Sequence, residues 1–352
     1  MLCKLLNSTV YLSVFHLFAN KETGNNRSKP ENRHARICGE TMAENNKHIA
    51  LIGAPLEEGS GRRGAAMGPT ALRIAGLDST LIELGHTVTD EGDLRPVPAR
   101  DLANHPKANN LQIVAAFTRA LDAAVYDAAR GGKFPLILGG DHALSMGSVS
   151  GMARHAADQG RPLFVLWLDA HADFNSPATS PSGNMHGMPV AFFCGQAEFA
   201  PILEAGRPMV DPKNVFQVGI RSVDAREREE IAEHGVNVYD MRSIDETGMA
   251  HIMHDIIARI KAANGLLHVS LDVDFLDPEL APGVGTTVPG GATFREAHLI
   301  MEMLCDSGLV SSLDVVELNP FLDDRGKSAR ILVELTASLF GRRILDRPTR
   351  SA

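Results

Sequence analysis

The 352-residue sequence is poor in aromatic residues, which make up 5% of it, and it has one tryptophan and four cysteines. Cys3, Cys38, Cys194 and Cys305 are widely spaced and form no Cys-x-x-Cys pair. This spacing argues against a disulfide framework or a zinc finger. It favours a reducing compartment, so we expect a cytoplasmic protein.

Long apolar runs and an excess of positive charge are also missing. No stretch reaches the roughly 18 apolar residues that a membrane-spanning helix needs. The formal charge is -9 at pH 7, so the chain lacks the basic surface that binds nucleic acid or anionic lipid. We therefore expect no nucleic-acid and no membrane partner. With 44% apolar and 22% charged residues, the composition is that of a globular protein with a sizeable core.

Residues 1–47 differ in composition from the rest of the chain. Leu5–Phe18 is mildly apolar but interrupted by polar residues, and residues 20–47 are rich in Asn, Glu, Arg and Lys. A signal peptide would need a cleaner apolar stretch and a small-residue cleavage site. Two interpretations remain, a disordered extension or translated upstream sequence with the true start at Met42, and we favour the second. A single domain is predicted over residues 48–352.

From His48 onward, short apolar runs alternate with amphipathic segments of helical length. The predicted strands are Ile49–Ile52, Phe134–Leu138, Leu163–Leu168, Val215–Val218, Leu266–Leu271 and Leu313–Val316. The predicted helices are Pro69–Gly76, Leu111–Arg130, Ala143–Gly160, Ala225–His234, Met249–Ala263, Thr293–Ser307 and Ala329–Leu339. Nearly continuous apolar strands are typical of parallel strands buried on both faces. The alternation predicts an α/β fold with one mostly parallel sheet and helices on both faces.

Acidic and imidazole side chains follow four of these strands directly. The four segments are 139–142 (Gly-Gly-Asp-His), 169–173 (Asp-Ala-His-Ala-Asp), 272–274 (Asp-Val-Asp) and 317–320 (Glu-Leu-Asn-Pro). The carboxyl ends of parallel strands lie at one edge of the sheet, where α/β folds place their sites. A single Asp-x-Asp is common and carries little information, but four such segments after four strands predict one shared site.

That site would be rich in negative charge. Its members are the carboxylates Asp169, Asp173, Asp272, Asp274 and Glu317, with the imidazoles His142 and His171. So many carboxylates cannot all stay ionised within a few ångströms without cations. Oxygen-rich ligands with two imidazoles and no thiolate favour Mn²⁺, and six ligands, four carboxylates and two imidazoles, suit two ions with bridging carboxylates. Asp169, His171 and Asp173 point the same way if their segment stays extended.

At these residues the sequence resembles the ureohydrolase family, which includes arginases and agmatinases. The similar segments are 53–55, 61–77, 139–142, 169–175, 183–189 (Gly-Asn-Met-His-Gly-Met-Pro), 270–278 and 317–320. The resemblance runs from about His48 to at least Leu339, and Asn175–His186 is most similar to the arginase branch. It implies a three-layer α/β/α domain, in agreement with the strand pattern, and a trimeric or hexameric assembly.

The resemblance also implies how two Mn²⁺ would be held. One ion would be bound by His142, Asp169, Asp173 and Asp272, and the other by His171, Asp169, Asp272 and Asp274. Asp169 and Asp272 would bridge the two ions. His186 matches a histidine that transfers protons, and Glu317 matches a carboxylate that contacts a guanidinium group.

Substrate contacts follow from the same resemblance. Asn175 and Ser182 match positions that receive an α-carboxylate, and Thr286 matches a position in the pocket lining. Asp224 matches a carboxylate near an α-amino group, with Glu227 as its helper. The stretch 221–226 departs from the common pattern, which often has Asp where Ser222 stands and Pro-Gly after the second Asp.

The implied activity is the hydrolysis of L-arginine to L-ornithine and urea by a metal-bridged hydroxide. Asp173 would hydrogen bond to that hydroxide, Glu317 would hold the guanidinium group and His186 would transfer a proton. Three alternatives stay open. They are a ureohydrolase that acts on agmatine or a guanidino acid, a deacetylase-like amidohydrolase with one zinc ion, and a non-catalytic metal-binding relative.

Overall fold

Eight parallel strands form a sheet in residues 46–200, 202 and 206–345, the part of the chain that the structure, a computed structural model, describes. The strands are β1 (His48–Ala54), β2 (Thr87–Asp93), β3 (Phe134–Gly139), β4 (Leu163–Leu168), β5 (Val215–Ile220), β6 (Asn237–Asp240), β7 (Leu266–Asp272) and β8 (Val310–Val316). Their order across the sheet is β2-β1-β3-β8-β7-β4-β5-β6. Strands β3, β4, β5 and β7 are buried along their whole length, which explains their continuous apolar sequences.

Helices cover both faces of the sheet. They are α1 (Gly68–Ile74), α2 (Leu77–Glu83), α3 (Leu111–Arg130), α4 (Ser145–Asp158), α5 (Pro189–Phe193), α6 (Ala225–His234), α7 (Met241–Thr247), α8 (Met249–Ala262), α9 (Phe294–Ser307) and α10 (Lys327–Leu339). Leu136 and Leu138 of β3 pack in one core with α1, α2 and α7 to α10, while Ile137 packs in a second core with α3 to α6. The predicted three-layer α/β/α class is confirmed.

All six predicted strands and all seven predicted helices are present, and the bounds of Leu111–Arg130 and Ala225–His234 are those predicted. Strands β2 and β6 were not predicted. They lie at the two edges of the sheet and are only partly buried, so their sequences lack a long apolar run. The short helices α2, α5 and α7 were missed too, because five to seven residues give too little periodicity to recognise.

Strand β2 carries Asp90, Glu91 and Asp93 at one edge of the sheet. Arg73 of α1 binds Asp90 at 2.8 Å and Asp93 at 2.6 Å, and Lys133 binds Glu91 at 2.6 Å. These ion pairs attach the edge strand to its neighbours within the chain.

The sheet order puts four strand ends side by side. Strands β3, β8, β7 and β4 are consecutive neighbours, and each is followed by one of the acidic segments singled out in the sequence. None of the helices in the described part of the chain is both long and apolar enough to cross a membrane. The interpretation of residues 1–47 as an extension lies almost entirely outside the described residues.

Candidate metal centre and substrate cavity

The acidic segments converge through tight turns rather than through extended strands. The 169–173 segment does not stay extended, which was the condition for Asp169, His171 and Asp173 to point the same way, because Asp173 has a positive φ of 50°. Glu317 also has a positive φ, 63°, and Asp274 lies in a 3₁₀ turn, Val273–Phe275. Residues other than glycine rarely adopt this left-handed backbone, and where they do the site is often functional. Here the turns aim the side chains into one space.

His142 is the centre of a first group of ligating atoms. Its Nδ1 atom lies 3.0 Å from Oδ2 of Asp169, 3.0 Å from Oδ2 of Asp272 and 3.3 Å from Oδ2 of Asp173. All four residues are buried. Three carboxylate oxygens therefore surround one ring nitrogen in the interior.

His171 is the centre of a second group, which shares Asp169 with the first. Its Nδ1 atom lies 3.1 Å from Oδ2 of Asp274 and 3.5 Å from Oδ1 of Asp169. Backbone amides fix the other carboxylate oxygens: Ala170 donates to Oδ1 of Asp274, and Asp274 donates to Oδ1 of Asp272 at 2.7 Å. In the two groups together, oxygen atoms of Asp169 and Asp272 face Nδ1 of His142, and oxygen atoms of Asp169 and Asp274 face Nδ1 of His171.

This donor set suits a cation. Nδ1 of His142 and Oδ2 of Asp169 are both buried and have no hydrogen-bond partner among the described residues. Burial alone lowers the pKa of His142, but the adjacent Asp169 outweighs it and raises that pKa to about 9. Burial and the neighbouring carboxylates raise the pKa values of Asp173 and Asp272 well above the usual range. A group of atoms that attracts positive charge this strongly is fitted to hold metal ions.

Neighbouring side chains fix the orientation of His142. Its Nε2 atom lies 2.8 Å from the hydroxyl oxygen of Ser270, which is fully buried. Its ring stacks on Trp167 with the centroids 4.0 Å apart and the planes 6° from parallel. The contact with Ser270 holds Nε2 away from the carboxylates, so Nδ1 faces them, as in metal sites with an outer-shell partner.

Glu317 connects the metal-ligand candidates to His186. Its Oε1 atom accepts a hydrogen bond from the backbone N–H of His142 at 2.9 Å and lies 2.9 Å from Nδ1 of His186. Burial opposes protonation of His186, but the hydrogen bond and charge of Glu317 prevail and raise its pKa. Burial correspondingly opposes ionisation of Glu317, yet His186 lowers the pKa of that carboxyl. Each of the two groups therefore favours the charged form of the other.

One cavity of about 150 Å³ collects most of the predicted site residues, a size suited to a small molecule. Its lining includes the metal-ligand candidates His142, His171, Asp173 and Asp272, together with His186, Glu317, Asn175, Ser182, Asp224, Glu227 and Thr286. Asp169 and Asp274 are not part of this lining, but their Oδ2 atoms lie 3.0 Å and 3.1 Å from Nδ1 of His142 and His171 in the cavity wall. Thr286 donates its hydroxyl to Oδ2 of Asp274 at 3.2 Å.

The residues predicted to contact the substrate carboxylate and amine all line this cavity, and two of them are in direct contact. The amide of Asn175 donates to Oδ2 of Asp224 at 3.1 Å. Asp224 begins α6 in a capping box with Glu227, whose other oxygen accepts the N–H of Phe174 at 2.8 Å. Burial raises the pKa of Glu227 to about 7. Glu227 thus links α6 to the loop that follows Asp173.

The sequence interpretation missed several residues that build the site. Ser270 orients His142, and Asn184 lines the cavity beside Ser182. Arg221 donates to the backbone oxygens of Asp274 at 2.5 Å and of Val288 at 2.8 Å, and so holds the Asp274 turn in place. Ser270 is the penultimate residue of the predicted strand Leu266–Leu271, which ends just before the ligand candidate Asp272. This position was a usable signal. Nothing in the sequence indicates what Arg221 contacts, because its partners are backbone atoms.

The chain is similar in sequence to known proteins over most of its length. The arginase family model matches residues 47–341. The chain is 55% identical to an arginase of Brucella melitensis over 304 residues, 86% of this chain and 99% of the relative. It is 52% identical to an arginase of Agrobacterium fabrum over 305 residues, 86% of this chain and 94% of the relative.

A solved structure shows the same likeness in three dimensions. The crystal structure of arginase from Bacillus cereus superposes with a TM-score of 0.79 at 40% identity. The match covers 85% of this chain and 100% of that one. The resemblance seen in the sequence motifs is thus confirmed, and the chain belongs to the arginase family.

Proposed function

We propose that this chain hydrolyses L-arginine to L-ornithine and urea with two Mn²⁺ ions. The observation that carries the proposal is the meeting of two donor groups, which share Asp169, with the His186–Glu317 pair in one small cavity. Membership of the arginase family supports the guanidino group as the point of attack.

The donor chemistry supports manganese. One group would consist of His142, Asp169, Asp173 and Asp272, and the other of His171, Asp169, Asp272 and Asp274. Among these ligand candidates carboxylates outnumber imidazoles and none is a thiolate, a set that suits a hard divalent ion such as Mn²⁺. When bound, the two ions would lower the pKa of water and so supply a nucleophile near neutral pH. Ser270 would keep the Nδ1 atom of His142 directed at its ion.

Three side chains would act at the guanidinium end of the substrate. Glu317 is a buried carboxylate and would hold the planar cation by charge-assisted hydrogen bonds. Asp173 would accept a hydrogen bond from the attacking water and carry its proton. Cleavage of the C–N bond releases urea and leaves the ornithine nitrogen in need of a proton, which His186 would supply. Glu317 raises the pKa of His186 above its ordinary value, which favours the protonated ring that this step needs.

The other end of the substrate would meet the part of the cavity that Asn175, Ser182 and Asp224 line. Asn175 and Ser182 would donate to the α-carboxylate, and Asp224 with Glu227 would face the α-ammonium group. Thr286 would line the space between the two ends. Because the Asn175 amide already contacts Asp224, the carboxylate and ammonium contacts would form one connected set.

The test is substrate choice with Mn²⁺. L-arginine and agmatine share the guanidinium group, the chain and the amine, and they differ in the α-carboxylate. Donors built for that carboxylate are left unpaired by agmatine, so its kcat/KM should be at least about 10³-fold lower. Comparable urea release from both compounds would contradict the assignment, and a preference for agmatine would replace it by an agmatinase.

The proposal also covers the extent of the catalytic domain, the compartment and the assembly of the protein. The catalytic domain would comprise residues 48–352, and the protein would act in the cytoplasm as a homotrimer or homohexamer. The two cysteines in the described part, Cys194 and Cys305, are free thiols, which agrees with a reducing compartment. Sedimentation of the purified protein tests the assembly.

A further inference from the structure

Two consecutive residues, Gly59 and Ser60, use all four of their backbone polar groups to connect the metal centre with the turn that carries His186. Both N–H groups donate to Oδ2 of Asp141, from Gly59 at 2.7 Å and from Ser60 at 3.0 Å. The carbonyl oxygen of Gly59 accepts the N–H of His186 at 3.2 Å, and that of Ser60 accepts the side-chain amide of Asn184 at 3.1 Å.

Asp141 is placed to hold this peptide firmly. It is fully buried, and its second carboxylate oxygen accepts the N–H of Ala143 at 3.1 Å. Its own N–H donates to the carbonyl of Leu56 at 2.7 Å. Asp141 directly precedes His142, so one carboxylate fixes the 59–60 peptide relative to the first ligand of the metal centre.

The packing around Gly59 leaves no room for a larger residue. A Cβ atom at this position would lie 2.7 Å from Oδ1 of Asp141 and 2.7 Å from the methyl carbon of Ala143. Both distances are shorter than real carbon contacts allow, so the peptide would have to move away from Asp141. The N–H of His186 would then lose its acceptor or move with the peptide.

From these contacts we propose that Asp141 is a positioning residue for His186. It acts through the 59–60 peptide, which sets the His186 turn at a fixed distance from His142. The inference rests on the proposed function, because it assumes that His186 takes part in turnover. A displacement of a reacting group by about 1 Å can cost about 10²-fold in rate, which is the scale at stake here.

The experiment is a double-mutant cycle with Asp141→Asn and His186→Asn, assayed with L-arginine and Mn²⁺. In either amide orientation, an Asn side chain at 141 sets an NH₂ group against at least one backbone N–H. We expect kcat to fall about 10²-fold in each single variant. If Asp141 acts through His186, Asp141→Asn should lower kcat by less than about threefold further in the His186→Asn background. Metal bound per chain, measured by elemental analysis, should equal that of the parent in all three variants.

Gly59→Ala provides a second route to the same displacement if Asp141→Asn does not fold. It should also keep its metal, lose kcat about 10²-fold and show no further loss in the His186→Asn background. Asp240→Asn is the matched control, because Asp240 likewise accepts a backbone N–H, that of Ser243 at 2.8 Å, at the far edge of the sheet. Its kcat should equal that of the parent.

The outcomes distinguish a failure of the positioning role of Asp141 from a failure of the proposed function. Losses that multiply in the double variant, or a parental kcat in both Asp141→Asn and Gly59→Ala, would overturn the positioning role while leaving the proposed function intact. Loss of metal in both variants would also overturn it, since Asp141 would then serve the metal centre. A parental kcat in His186→Asn alone would instead overturn the role of His186 in the proposed function, and with it the present inference.

Discussion

Nδ1 of His186 lies 2.9 Å from Oε1 of Glu317, although 131 residues separate them in the sequence. The same oxygen accepts the backbone N–H of His142. One carboxylate oxygen therefore contacts both the proposed proton donor and the segment that bears a proposed metal ligand. Because His186 is not itself a ligand candidate, mutation of His186 separates proton transfer from metal binding.

The first prediction concerns His186. His186→Asn should keep its bound metal, because the ring contacts Glu317 and no ligand candidate is removed. Turnover of L-arginine should fall by roughly 10²-fold or more, the scale of general acid–base catalysis. Urea release and elemental analysis on the same preparation check both parts. Loss of metal in this variant would instead make His186 a ligand.

The second prediction concerns the carboxylates expected to bridge the ions. In the proposed site, Asp169→Asn or Asp272→Asn would remove a charge that two cations share, and the remaining ligands would not replace it. Each variant should lose one or both metal ions and nearly all activity. Added Mn²⁺ should also raise the melting temperature less than it does in the parent, because stabilisation follows binding. Two ions per chain and normal turnover in either variant would contradict the binuclear assignment.

The third prediction uses the pH dependence of the His186–Glu317 pair. The pKa of His186 is raised and that of Glu317 is lowered in the folded chain. Below the ordinary His pKa of about 6.5 and above the ordinary Glu pKa of about 4.5, the stabilisation by the charged pair is fully present. It is lost as the pH rises through the folded pKa of His186.

His186→Asn keeps a hydrogen-bond donor but never carries the charge, so it isolates this effect. In protein freed of divalent ions by chelation, the variant should melt lower than the parent, and the deficit should be larger near pH 5.5 than near pH 9 by about 2 °C or more. A deficit that is equal at both pH values, measured by thermal unfolding, would show that the pair is not charged.

The fourth prediction concerns Ser182. If its hydroxyl binds the substrate α-carboxylate, Ser182→Ala should lower kcat/KM for L-arginine by about 10- to 100-fold, the range for a hydrogen bond to a charged group. The value for agmatine should stay within about threefold of the parent, because agmatine lacks the carboxylate. Ser79→Ala in α2 is the control and should change neither value. Equal losses for both substrates would place Ser182 elsewhere in the mechanism.

The layered fold was predictable because its inner strands are buried on both faces and its long helices are amphipathic. Phe134–Gly139 and Leu163–Leu168 are continuous apolar runs, whereas the edge strands Thr87–Asp93 and Asn237–Asp240 are half exposed and mixed in character. An edge strand pairs with a neighbour on one side only and buries few apolar side chains. Its sequence therefore shows little of the apolar pattern by which strands are predicted.

The candidate site was predictable as a set of residues but not as a geometry. The position of each acidic segment after a strand predicted that His142, His171 and the carboxylates would meet. The turn at Asp173 was not predictable, since its positive φ depends on the packing of the loop. Nor could the sequence indicate that Arg221 and Asp141 act on backbone groups of other segments, because any residue can supply a carbonyl or an amide.

The paired carboxylates of β2 have a consequence for association between copies of the chain. A second molecule that tried to add a strand to this edge would bring its own Asp90, Glu91 and Asp93 against the same residues, and would compete with Arg73 and Lys133 for them. Like charges facing each other across a strand pair repel, and charged edges are a common protection against aggregation. Addition of a second molecule's strand to β2 is therefore disfavoured.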